Sequence, residues 1–110
     1  MTYKEILRQY WGYDDFRGIQ REIIDSIGAG RDTLGLMPTG GGKSITFQVP
    51  TLASEGLCIV VTPLIALMKD QVDALLSQGV NVAMLNSSLT YDRQRSIEAA
   101  AIAGKIRILY

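Results

Sequence analysis

Three glycines, a lysine and a hydroxyl follow one another at Gly40-Gly41-Gly42-Lys43-Ser44, inside the stretch MPTGGGKSITFQ. Consecutive glycines open backbone conformations closed to other residues and let amide groups approach an anion. A lysine placed next reaches the β- and γ-phosphates of a nucleotide as a point charge, and a serine hydroxyl can serve magnesium. Thr39, Gly40, Gly41 and Gly42 are therefore the expected phosphate-lining loop, with Lys43 and Ser44 as its charged and metal-binding ends. The usual phosphate-loop pattern begins with glycine, and Met37 stands in that place. The departure costs little, because the amides that wrap the phosphates come mainly from Gly40 onward. A plain glycine-rich turn with an exposed lysine would suit a bare Gly-Lys-Ser. It suits less well an apolar run, three glycines and a helical start in that order.

Other chemistries are closed off. Histidine is absent and Cys58 is the single cysteine, so an internal disulfide, a Cys/His zinc site and a histidine-dependent triad have no residues to use. In LCIVV, Cys58 reads as a small buried residue rather than a reactive thiol. Eleven basic and eleven acidic residues cancel, so overall charge gives no nucleic-acid footprint, although one local surface could still meet DNA. No apolar stretch nears the ~20 residues of a membrane span, and the first residues lack a signal pattern. A cytoplasmic protein with no membrane partner is the expectation.

The elements that must position the loop follow from periodicity. Apolar runs at 33–37 (TLGLM), 57–61 (LCIVV), 82–86 (VAMLN) and 106–110 (IRILY) read as strands. LCIVV fits a strand buried on both faces. Between them, 64–79 carries Leu64, Leu67, Met68, Val72, Leu75 and Leu76 on one helical stripe, with Gly79 as its stop. Thr90 is placed to cap a helix that Gly104 ends. Ahead of the loop, Thr2 and Glu5 have capping-box spacing, and a second helix runs through RGIQREIIDSIGAG, ending near Gly28 or Gly30. Pro50 reads as the boundary of the helix that Lys43 opens. Strands alternating with helices imply an α/β fold with a parallel sheet and crossover helices. The 110 residues read as one domain or part of one.

On these residues the chain resembles the RecQ family of superfamily 2 DNA helicases. MPTGGGKS is similar to the family's motif I, WGYDDFRGIQREII (11–24) to its motif 0, VTPLIALMKDQVDAL (61–75) to motif Ia and LNSS (85–88) to motif Ib. The resemblance implies a P-loop, RecA-like three-layer sandwich truncated after the fourth strand, with residues 1–110 as the amino-terminal portion of the ATP-binding domain. It implies ATP and Mg2+ as ligands. Tyr13 would pack on adenine, Gln20 would bond its edge, and Arg17 would stack or make a polar contact nearby. A glutamine amide has both the donor and the acceptor that a base edge needs. The plainer alternative leaves Tyr13 and Phe16 as core aromatics beside a solvated Arg17, and Phe16 is expected in the core either way.

By the same resemblance Thr62, Pro63 and Leu64, with Asn86, Ser87 and Ser88, would border single-stranded DNA or a duplex junction. Residues at a strand exit can meet phosphate with backbone amides. Spacing alone makes Asn86–Ser88 equally a helix-capping turn, and Lys69 and Asp70 a solvated helical face. Gly18 stands where the family commonly has proline, and Thr46 and Phe47 where it often has cysteine and tyrosine.

ATP hydrolysis by such motors needs an aspartate–glutamate pair at a strand end. The acids after the loop are Glu55, Asp70, Asp73, Asp92 and Glu98, and none follows an apolar run. The expectation is the amino-terminal part of a 3′-to-5′ DNA helicase that neither hydrolyses ATP nor unwinds DNA alone. An unpaired strand edge at IRILY or its neighbour would invite oligomers. Two other readings are a stand-alone, non-catalytic nucleotide-binding module and a small-molecule kinase or other P-loop enzyme. Motif 0 and PLIALMKDQV have no role in the latter.

Overall fold

The computed structural model describes residues 1–37 and 42–110. These residues form two compact units, Met1–Glu55 and Gly56–Tyr110.

The first unit is helical: α1 (Tyr3–Trp11), α2 (Gln20–Gly28) and α3 (Ile45–Leu52). Thr2 Oγ1 accepts from the Glu5 amide at 3.2 Å, the capping expected from their spacing. Both α1 and α2 pack on α3, around a core of Ile6, Leu7, Ile24 and Val49. Each such side chain contributes roughly 1.5–3 kcal/mol through burial. Phe16 packs against this cluster, so it is a core aromatic. Pro50 is inside α3 rather than at its boundary. A proline removes its own backbone donor and its ring crowds the carbonyl four residues earlier, yet the helix continues and the Ala53 amide bonds the Val49 carbonyl at 3.1 Å.

Residues 33–37 are not a strand. They have no regular structure, and Leu34 and Leu36 are 86% and 78% exposed. A strand needs a ladder partner for its backbone groups, and these residues have none among the described residues.

The second unit is α/β: β1 (Cys58–Ile59), α4 (Ile65–Ser77), β2 (Val82–Ala83), α5 (Tyr91–Ile102) and β3 (Ile108–Leu109). The strands are parallel in the order β1-β3-β2, with Cys58 and Val82 both opposite Ile108. Three strands rather than four are therefore present among the described residues, and IRILY supplies the centre of the sheet, not its edge. β1 and β2 are the edges. Backbone bonds carry the pairing past the short strands, from Val60 N–H to the Leu109 carbonyl (2.8 Å) and from Leu85 N–H to the Tyr110 carbonyl (2.8 Å).

Edge position also overturns the doubly buried reading of LCIVV. Ile59 is 66% and Val61 93% exposed, and Cys58 is half-buried. The α4 stripe is narrower than expected: Met68, Val72 and Leu75 are buried, whereas Leu64, Leu67 and Leu76 are exposed. Gly79, at φ +83°, ends the helix, and the next amide, Val80 N–H, returns to the Leu75 carbonyl at 3.1 Å. Thr90 Oγ1 accepts from the Arg93 amide at 3.2 Å and caps α5.

Candidate functional site

The loop before α2 and the first turn of α3 enclose a pocket of ≈ 280 Å³ lined by Tyr13, Asp14, Asp15, Arg17, Gln20 and Ile45. It brings together the three residues expected to recognise adenine. Tyr13 is 57% exposed, so its ring is available to a ligand rather than committed to the core. Gln20, on the first residue of α2, is only 2% exposed. Its Oε1 accepts from the Arg17 amide at 2.8 Å, and its Nε2 donates to the Gly42 carbonyl at 3.1 Å. One buried amide thus links the motif 0 turn to the end of the glycine loop. Such a group is costly to bury unless both ends are bonded.

Gly42 has φ +76°. A Cβ there would collide with the Gln20 amide nitrogen and stand 3.3 Å from the Arg17 guanidinium. The left-handed conformation favours glycine here, and a Cβ would also force the end of the Gln20 side chain to shift. Lys43 is exposed and makes no ion pair among the described residues. Ser44 precedes α3 and is half-buried. Just inside the helix, Thr46 Oγ1 donates to the Lys43 carbonyl at 2.5 Å, holding the turn that presents Lys43. Thr39, Gly40 and Gly41 lie outside the described residues.

Asp15 lines the same pocket. Its Oδ1 accepts from the Phe16 amide at 2.8 Å and is 3.5 Å from Lys4 Nζ. The amide bond and then the Lys4 charge hold this carboxyl below its ordinary value of 3.8. Neither Asp14, Asp15 nor Ile45 was singled out by sequence reasoning. The doubled aspartate between Tyr13 and Phe16 was the available signal.

The expected nucleic-acid residues are all in the second unit. Thr62, Pro63 and Leu64 connect β1 to α4, with Thr62 Oγ1 accepting from the Leu64 amide at 3.3 Å. Asn86, Ser87 and Ser88 follow β2 and lead into α5. Both segments leave the carboxyl ends of parallel strands, the usual ligand side of such a sheet. The Asn86 side chain is committed locally: its Oδ1 accepts from the Ser88 amide at 2.8 Å and also from the Ser88 hydroxyl. Asn86 thus closes a local turn ahead of Thr90, which itself caps α5, and Ser87 and Ser88 remain exposed. Lys69 and Asp70 are exposed on α4, as a solvated face requires.

A family model described as DEAD/DEAH box helicase matches residues 17–110; the chain belongs to that family and is part of its RecA-like P-loop fold. Its relatives include RecQ proteins. It is 44% identical over 109 residues to the ATP-dependent DNA helicase RecQ of Pasteurella multocida, covering 99% of this chain and 17% of that relative. The RecQ of Haemophilus influenzae is 42% identical over 109 residues (99% and 18%), and that of Synechocystis 47% over 107 residues (97% and 22%). The chain thus spans about one fifth of the length of the curated relatives it matches. No described helix is long and apolar enough to cross a membrane.

Proposed function

We propose that these 110 residues are the amino-terminal portion of the ATP-binding domain of a cytoplasmic, RecQ-type 3′-to-5′ DNA helicase. The observation that carries this reading is the Gln20 amide bonded to Gly42, beside the open Tyr13 ring. It ties a base-sized pocket to the phosphate loop. The residues present fit Mg·ATP. Gly42 brings its backbone against the Gln20 amide at the edge of the pocket, Lys43 is uncommitted to any ion pair among the described residues, and the pocket suits a planar base. Tyr13 packs on the adenine, Gln20 bonds its edge, and Arg17 contacts it from the same turn. Lys43, with Thr39, Gly40, Gly41 and Gly42, holds the phosphates. The Ser44 hydroxyl is the protein ligand for Mg2+, which neutralises phosphate charge when bound.

Thr62, Pro63, Leu64, Asn86, Ser87 and Ser88 border single-stranded DNA or a duplex junction in the parent protein, mainly through backbone amides. Hydrolysis and unwinding need groups that these residues do not supply. Glu55 follows α3, Asp70 and Asp73 sit on α4, Asp92 and Glu98 on α5, and all five are exposed. None stands at a strand end, where an acid could orient magnesium or water. The exposed β1 edge, with Ile59 and Val61 uncovered, favours association of isolated chains through that strand.

Calorimetric titration with Mg·ATP tests the site. The 110-residue chain binds, Lys43→Ala does not, and neither hydrolyses ATP above background. Equal affinity in the variant removes Lys43 from the site, and steady turnover by the chain refutes its proposed inactivity.

A further inference from the structure

A second pocket, of ≈ 250 Å³, lies between α5 and β2 and shares no residue with the proposed ATP or DNA sites. It has room for about one large side chain. Its floor is apolar and buried, formed by Val82, Ile97 and Ile106. Its polar lining is Asn81, Arg93, Ser96 and Lys105: two cations and no carboxylate. All four are exposed, and their side chains make no hydrogen bond or ion pair among the described residues. In a chain whose charges cancel, this is a local, uncompensated positive site with an apolar centre.

Its position argues against DNA. Asn81 precedes β2, both residues of β2 line the pocket, and Lys105 and Ile106 lead into β3, so the pocket lies over β2 and reaches the amino ends of parallel strands. Thr62–Leu64 and Asn86–Ser88 follow the carboxyl ends, at the opposite end of the sheet. No aromatic side chain lines the pocket, whereas single-stranded DNA is held by aromatic stacking as well as by cations. A buried aliphatic floor flanked by cations instead complements a side chain flanked by carboxylates. β2 is moreover an edge strand of the described sheet, against which an extended segment can align.

We propose that this pocket docks an acidic peptide segment of a partner protein. One aliphatic side chain seats on Val82, Ile97 and Ile106, and the flanking carboxylates meet Arg93 and Lys105. Fluorescence anisotropy with a labelled Asp-Asp-Leu-Asp-Asp peptide tests it on the 110-residue chain. Binding is expected to weaken with added salt, to fall about tenfold in the Arg93→Glu/Lys105→Glu double variant, and to be lost when serine replaces the peptide's leucine. Should the double variant fail to fold by circular dichroism, Arg93→Gln and Lys105→Gln replace it, each expected to weaken binding about threefold. No anisotropy change up to millimolar chain, equal affinity in the variants, or equal binding of the serine peptide overturns the proposal. Displacement of the peptide by a single-stranded oligonucleotide also overturns it, by assigning the cations to nucleic acid.

Discussion

Gln20 and Asn86 are both polar side chains with an amide, and each closes a turn at a proposed binding site. Gln20 is buried and reaches across 22 positions of sequence to the Gly42 carbonyl. Asn86 is half-buried and bonds Ser88, two residues on. A long-range buried bond fixes one segment against another, and its loss leaves orphaned groups that water reaches poorly. A local bond in an open turn is replaced by water at small cost. The proposed nucleotide pocket is therefore built to be rigid before ligand arrives. In the proposed DNA turns the Thr62 and Asn86 side chains bond within two residues, and the Asn86 carbonyl accepts from Gln94 Nε2 at 3.2 Å; these turns offer backbone groups rather than a fixed side-chain array.

The contrast predicts unequal sensitivity. Gly42→Ala should be the most damaging change, because it forces a side chain into a left-handed conformation and into the Gln20 amide at once. Strain of roughly 1–2 kcal/mol, added to the collision, should cut Mg·ATP affinity by at least about tenfold in a calorimetric titration. An unaffected titration would show that the loop does not depend on this approach.

Gln20→Ala comes next, and it separates a positioning role from a ligand-contact role. With Arg17 N–H and the Gly42 carbonyl both losing a partner, the nucleotide-free chain should lose about 1–3 kcal/mol of stability in urea unfolding. If the unfolding curve is unchanged and only ATP affinity falls, the link to the loop is not formed in the free protein. Asn86→Ala should cost under about 1 kcal/mol in the same experiment, since Thr90 still caps α5. A loss as large as that of Gln20→Ala would erase the distinction between the two regions.

The same division explains what was legible in the sequence. Thr2, Thr90, Gly79 and Gly104 marked helix ends correctly because capping is decided within a few residues. The Tyr13, Arg17 and Gln20 cluster was legible through resemblance, not spacing. Strand order was not: LCIVV and IRILY have the same apolar character, yet one became an edge and the other the centre. Which strand lies between two others is a property of the whole sheet. Residues 33–37 failed for the same reason, since an apolar β-branched run specifies a strand only when a partner is present. The Gln20–Gly42 bond had no local signature at all.

The smallest predicted effect concerns Asp15, at the rim of the nucleotide pocket. The Phe16 amide, and after it the Lys4 charge, lower its pKa from 3.8 in the folded chain. A depressed folded value means that the unfolded chain binds the proton more readily. The carboxylate's contribution is thus complete above the unfolded value and disappears as pH falls through the lower folded one. Asp15→Asn should therefore melt slightly below the parent chain at neutral pH and match it once the pH is well below 3.8. Asp15 is fully exposed, so salt should shrink the neutral-pH gap. A gap that persists in acid would trace to the asparagine's own packing, and would make this rim part of the rigid region that Gln20 defines.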